Sequence, residues 1–259
     1  MPLNDKELER YNRQIILPEF GEEAQNKLKK ASALIIGVGG LGSVSSVYLA
    51  AAGLGRIGLV DDDIVSLSNL QRQVLYREDM LGKSKAIEAK KSLERLNSHS
   101  IINAYNYRFN RDNGVELIRD YNIIVDGTDN FETRYLINDL CMGLNKPFVY
   151  ASIQDYSGQV SVFNLNQNSC NYRDLFPNDE KLANKKDLSK GVIGILPSII
   201  ASIQTNEVIK IITGIGEVLD NRLAIFNIKD NQYNILNIKP SNKARETSLR
   251  EYEKIKTKS

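Results

Sequence analysis

Gly37, Gly39, Gly40 and Gly42 follow a short apolar run at 33–36 and precede a stretch of small residues, within SALIIGVGGLGSVSSVYLAAAGLGRIGLVDDD (32–63). Glycines so placed make a tight strand-to-helix turn, and their bare backbone lets N–H groups reach a phosphate where the helix dipole favours an anion. About twenty residues further on, Asp61 and Asp63 end a second apolar run, where carboxylates can accept hydrogen bonds from ribose hydroxyls. Strand, turn, helix, strand and acid arrive in the order that nucleotide binding requires. Glycine-rich turns also serve close packing alone, and this unit by itself fits NAD as well as ATP.

Other polar groups separate those two ligands. Asn69, Gln71, Arg72 and Gln73 lie in a polar run too long for a plain turn, at the carboxyl end of the second strand. Loops there carry binding groups in α/β folds. Lys83 and Lys85 stand in the first turn of a helix read over 83–96, an unfavourable place for cations unless an anion binds there. Asp129 and Asn130 follow the apolar run 123–125 in DGTDN. NAD brings about two negative charges that amides and a dipole can hold, whereas a triphosphate brings about four and draws on Lys, Arg and a divalent metal. Arg72, Lys85, Arg13 on the N-terminal arm and Asp129 as a hard oxygen ligand for Mg²⁺ favour ATP.

The single histidine, His99, sits in a polar NSHS turn and is expected to face solvent, so chemistry that needs a histidine base is disfavoured. Two cysteines, Cys141 and Cys170, cannot make a disulfide framework or a four-ligand zinc site. A net charge of +2 with Lys and Arg interspersed among Asp and Glu leaves no footprint for nucleic acid.

The elements that must carry these groups alternate strand and helix through residue 151, which calls for an α/β, Rossmann-like, doubly wound and mostly parallel sheet with right-handed crossovers. Antiparallel strands over 222–228 and 233–238 extend it in the C-terminal part. The 259 residues divide as one domain: a helical arm at 1–30, a nucleotide-binding core at 31–164, a crossover loop at 165–190, a helix and strands at 191–240, and a charged tail at 241–259 expected to fray or to be helical in part. In the helix at 83–96, Ala86, Ile87, Ala89, Leu93 and Leu96 share one face and are expected to be buried. The apolar stretch 191–216 contains Gln204, Asn206, Glu207 and Lys210, so a buried helix is expected rather than a membrane span. The N-terminus lacks an apolar leader pattern, and a cytoplasmic location is expected.

Six segments together carry a family resemblance: RYNRQIILPEFG (10–21), GVGGLGS (37–43), VDDDIVSLSNLQRQ (60–73), GKSKA (82–86), DGTDNFETRYLIND (126–139) and GVIGILPSIIASIQTNEVIK (191–210). The chain resembles the ThiF/MoeB/HesA family of adenylyltransferases, bacterial relatives of ubiquitin-activating enzymes, over about residues 10–240. The resemblance implies ATP- and Mg²⁺-dependent adenylation of the C-terminal glycine carboxylate of a small ubiquitin-fold sulfur carrier ending in Gly-Gly. It also implies roles: Gly40, Asp61 and Asp63 on the nucleotide, with Asp61 on the ribose; Asn69, Gln71, Arg72 and Lys85 on the phosphates; Asp129 on Mg²⁺ with Asn130 beside it. It further implies a homodimer in which Arg13 reaches the neighbouring subunit's site.

Two departures from the family pattern stand out. Where relatives commonly hold a zinc through paired cysteines, this chain has NYRDLF, with Asn171 and Asp174 at the ligand positions and no cysteine after Cys170. No structural zinc is therefore expected, and packing or the dimer must hold that region. Where many relatives carry a cysteine before the GV[IL]G motif, this chain has Asp187 and its neighbours, so a covalent step there is excluded unless Cys170 folds over the site. The alternatives are adenylation of a short ribosomal peptide, an NAD(P)-dependent oxidoreductase, and a non-catalytic scaffold for a ubiquitin-fold partner.

Overall fold

The computed structural model describes residues 2–177 and 191–257. Strands β1 (Ser32–Ile36), β2 (Arg56–Val60), β3 (Ile101–Tyr105), β4 (Ile123–Asp126), β5 (Phe148–Gln154), β6 (Ser157–Phe163), β7 (Arg222–Asn227) and β8 (Gln232–Asn237) form one sheet in the order β3-β2-β1-β4-β5-β6-β7-β8. β3 through β5 run parallel, and β6, β7 and β8 add antiparallel strands. This is the doubly wound sheet with an antiparallel extension that the alternation of patterns requires.

All five residues of β1 are buried, as expected of a parallel strand covered on both faces. One face carries α3 (Gly40–Ala52), α4 (Lys85–Leu96) and a long helix, Ile195–Thr213. The other carries α5 (Arg111–Arg119), α6 (Phe131–Leu144) and a C-terminal helix, Asn242–Lys256. β1 pairs with β2 on one side and β4 on the other, so the chain winds outward in both directions from the β1–β4 boundary. A crevice must open there at the carboxyl ends of the strands.

The long helix is a core element, as read from its polar residues. Gln204 is fully buried: its Nε2 donates to the carbonyls of Asp126 (2.7 Å) and Val149 (2.9 Å), and its Oε1 accepts from Ser45 Oγ (3.0 Å). Glu207 accepts from the Leu219 N–H at 2.7 Å and pairs with Lys210. The N-terminal arm is docked rather than loose. Its first helix, α1 (Asp5–Ile15), buries Tyr11, whose hydroxyl accepts from Asn97 Nδ2 at 2.8 Å, and α2 (Gly21–Lys30) follows with Leu28 buried.

Three expectations are corrected. Lys83 precedes α4, whose first residue is Lys85 and whose N-cap is Ser84. Ile87 and Leu96 are 37% and 39% exposed, because α4 lies over the outer strands β2 and β3 and buries only a narrow stripe through Lys85, Ala86, Ala89 and Leu93. The charged tail is helical over Asn242–Lys256 rather than frayed there. Ser241 caps the C-terminal helix, and Ala244, Ser248, Tyr252 and Ile255 fall on one face, which packs on α6.

The segment that carries Asn171 and Asp174 is held by hydrogen bonds. Asn171 and Asp174 form a capping box around the short helix Tyr172–Leu175. Asp174 Oδ1 accepts from the Ser241 N–H at 2.8 Å, and Arg173 makes a two-pronged pair with Asp139 at 2.9 and 2.7 Å. Residues 178–190 of the crossover, Asp187 included, lie outside the described residues.

Two outcomes follow from this packing. Treatment with EDTA should leave the melting temperature unchanged while Asp174→Ala lowers stability by about 1 kcal/mol; a melting point that drops with the chelator would show a structural metal. A Cβ on Gly143 would sit 2.1 Å from Cγ of Tyr252. Gly143→Ala should therefore cost about 1–3 kcal/mol in urea denaturation by forcing the C-terminal helix off α6.

Candidate active site

At the β1–β4 boundary the backbone itself is the wall. Gly37 has φ +85°, and a Cβ there would lie 2.8 Å from the Gly127 carbonyl oxygen. A Cβ on Gly42 would lie 1.9 Å, and one on Gly127 2.1 Å, from the Gly37 carbonyl oxygen. Only glycine fits at these positions. The turn presents the Val38 N–H to Asp61 Oδ2 (2.7 Å), and the Asp63 N–H caps the other oxygen (2.9 Å). Burial pushes the Asp61 carboxyl above the usual carboxylate range, opposed by those two N–H donors and by nearby Lys85. Tyr76 braces the same turn, donating to the Val38 carbonyl at 2.8 Å and lying 3.3 Å from that of Lys85.

A cavity of about 710 Å³ opens over the strand ends. It brings together Gly37, Gly39, Gly40, Asp61, Asp63, Asn69, Arg72, Gln73, Lys85, Asp129 and Asn130 from the residues read out of the sequence. Three others lie elsewhere. Gly42 faces inward as a packing residue, and Gln71 is exposed with its backbone against Gly194. Arg13 lies on α1 and lines a separate groove of about 430 Å³ with Gln14, Tyr48 and Asn206. Within one chain it does not reach the main cavity.

The cations are already positioned. Lys85 is buried, with its side chain 6% exposed, and its Nζ lies 2.8 Å from Oδ2 of Asp63, whose side chain is 71% exposed. Arg72 Nη1 donates to the Ser68 carbonyl at 3.0 Å, which leaves the rest of its guanidinium for the cavity. Asp129 is exposed at the rim, and Asn130 beside it caps α6 by accepting from the Thr133 N–H at 2.9 Å. A Mg²⁺ ion held by one carboxylate and by a nucleotide's own phosphate oxygens suits so sparse a donor set. Among the described residues no group of three or more His, Cys, Asp or Glu converges for a metal.

Sequence reading missed the support beneath DGTDN. Asp126 is fully buried and accepts from the Thr128 N–H (2.8 Å), Thr128 Oγ1 (2.6 Å) and Arg134 Nε (3.1 Å), while Arg134 Nη2 donates to the Thr128 carbonyl at 2.6 Å. The signal was an arginine, eight positions after the aspartate, on the buried side of α6. Arg108, Phe109, Phe131 and Gln154 also line the cavity; Phe131 read as the start of a helix and the other three as parts of ordinary connections. Cys170 does not fold over the site. It is fully buried against the aromatic core, and burial pushes its thiol up to about 12, so it stays protonated.

The profile of the ThiF family matches residues 11–247. The chain is 46% identical over 224 residues to a probable molybdopterin-synthase adenylyltransferase of Porphyra purpurea, covering 86% of this chain and 58% of that protein. It is 40% identical over 240 residues to the sulfur carrier protein adenylyltransferase of Thermus thermophilus, covering 90% and 88%. It is 43% identical over 240 residues to the adenylyltransferase and sulfurtransferase MOCS3 of Xenopus laevis, covering 92% and 52%. The chain thus spans little more than half the length of several curated relatives it matches. A crystal structure of E. coli MccB with ATP superposes with a TM-score of 0.80 at 25% identity, covering 92% of this chain and 73% of that one.

The raised Asp61 carboxyl has a measurable consequence. Its contribution to folding is present in full at acid pH and is lost as pH rises through the folded-state value, because the folded state holds that proton more tightly. Asn at 61 has one acceptor oxygen for the two N–H donors, a loss present at every pH, so the stability of Asp61→Asn relative to the wild type should shift in the variant's favour as pH rises from about 4 to 7. Urea denaturation at the two pH values checks this, and a relative stability that moves the other way would refute it.

Proposed function

The chain belongs to the ThiF family, and from that membership we propose that it is an ATP- and Mg²⁺-dependent adenylyltransferase acting on the C-terminal glycine carboxylate of a small ubiquitin-fold sulfur carrier ending in Gly-Gly. The observation that carries this reading is one cavity in which a bare glycine turn, the ribose-type acid Asp61, the cations Arg72 and Lys85, and the rim carboxylate Asp129 face the same space. NAD binding would leave Asp129, Arg72 and Lys85 without a task. The identities of 40–46% to named sulfur-carrier and molybdopterin-synthase adenylyltransferases, against 25% to MccB, support a carrier protein over a short peptide as substrate.

In this reading the phosphates lie on the turn at Gly37, Gly39 and Gly40, at the N-terminus of α3, and Asp61 accepts from the ribose hydroxyls. The carrier's carboxylate attacks the α-phosphorus in line, the bond to the bridging oxygen breaks, and pyrophosphate leaves with that electron pair. An acyl-adenylate results. A carboxylate is already a nucleophile, so no general base is needed. Arg72 and Lys85 stabilise charge on the transferring and leaving oxygens, and Lys85 turns one of its three donors from Asp63 to a phosphate. Mg²⁺ bound at Asp129 would supply Lewis-acid neutralisation of the same oxygens.

Arg13 fits this scheme as a residue supplied in trans by a second copy in a homodimer, since it lies outside its own chain's cavity. A cytoplasmic setting belongs to the same proposal, because ATP and carrier are both found there.

The test is ATP–pyrophosphate exchange with and without a ubiquitin-fold carrier ending in Gly-Gly. Exchange should depend on the carrier and on Mg²⁺, and Asp129→Ala should cut it about 10²–10³-fold. ATP binding without exchange on any carrier or peptide would leave the scaffold reading in its place.

A further inference from the structure

Two fixed points decide where a bound nucleotide's base must lie. The turn after β1 takes phosphate and Asp61 after β2 takes ribose, and the strand order continues outward to β3. The base therefore falls toward the carboxyl end of β3. There the wall consists of Arg108 and Phe109, which follow β3, and Phe131, the first residue of α6.

This wall is built to stay in place. Phe109 is buried in the core. The Arg108 carbonyl accepts from Asn113 Nδ2 at 2.9 Å, and Asn110 caps α5 through the N–H groups of Asp112 and Asn113, so the backbone of Arg108 is pinned between β3 and α5. Its side chain is not pinned. It is 67% exposed, and its nearest charged partner, Glu132, lies 3.8 Å away on α6 and is itself exposed.

We propose that Arg108 is the base-contacting residue of this site, its guanidinium stacking on a purine whose edge rests against Phe109 and Phe131. A guanidinium is planar, delocalised and weakly hydrated, so it covers a heteroaromatic face at little desolvation cost, which an ammonium cannot do. Glu132 lies too far away and too exposed to restrain the guanidinium, which is left free to cover the base. The proposal rests on the nucleotide reading above and adds to it a residue that contacts the base.

The experiment is competition against a fluorescent ribose-labelled ATP, on the full chain, with unlabelled ATP and inorganic tripolyphosphate as competitors. Arg108→Ala should weaken ATP by about five- to twentyfold and change tripolyphosphate by less than about twofold. Arg108→Lys should recover little of the ATP loss. Equal losses on both competitors would mean that Arg108 acts on phosphate, and unchanged ATP affinity would mean that it does not touch the base; either overturns the proposal while leaving the nucleotide reading intact. A wild-type chain that binds tripolyphosphate but not ATP, or neither, overturns both. Arg108 is exposed, so the variants should fold, and urea denaturation of Arg108→Ala checks that they do.

Discussion

The carbonyl of Gly37 and the backbone of Gly127 lie so close that no side chain fits between them. β1 and β4 are neighbours whose ladder continues to the Gly127 N–H on the Ile36 carbonyl, at 2.8 Å, and beyond it the two turns must part around one another. Glycine at 37, 42 and 127 allows that crossing with main chain alone. α3 can then start at Gly40 with its N–H groups aimed into the crevice, and Val38 can give its own N–H to Asp61. A methyl group at any of the three would push the glycine turn off β4 and disturb its hydrogen bond to Asp61.

Around that crossing the charges are arranged before any ligand arrives. Asp126 and Arg134 are both buried, which is costly for either alone, but each is offset by the other and by Thr128, so the loop leading to Asp129 is locked from below. Lys85 is held from above by the exposed carboxylate of Asp63. The site thus keeps one ion pair sealed for shape and one open for exchange. A fixed dipolar frame of this kind spares the reorganisation that water would require as charge develops.

Much of this was legible in the sequence because it is local. Glycine spacing, the acid after the second strand and the alternation of patterns belong to short stretches, and each strand landed within a few residues of its expected span. What was not legible depends on partners far apart in the chain. The C-terminal helix hides its buried face, Ala244, Ser248, Tyr252 and Ile255, among charges that single-window reading took for fraying, and only Gly143, some hundred positions earlier, makes room for it. Ile87 and Leu96 have the spacing of core residues but sit where the sheet runs out. Arg108 reads as a connection until strand order places it over a cavity. Cys170 reads as a loop thiol until its neighbours turn out to be Phe163 and Tyr172.

Gln204 joins three elements with one amide: two donations to the carbonyls of β4 and β5 and one acceptance from α3. β4 and β5 share only a short ladder, Ile124 with Phe148 and Val125 with Val149, beside the crevice. Where that ladder ends, the two carbonyls would be orphaned in a dry interior, and the side chain of Gln204 stands in for the missing strand. Glutamate has no N–H to give, methionine has neither donor nor strong acceptor, and asparagine is a methylene too short. An alignment of relatives would therefore mark this position as sharply as any ligand-contacting one, though it never meets a ligand. Invariance at the floor of such a crevice measures the repair of a short ladder.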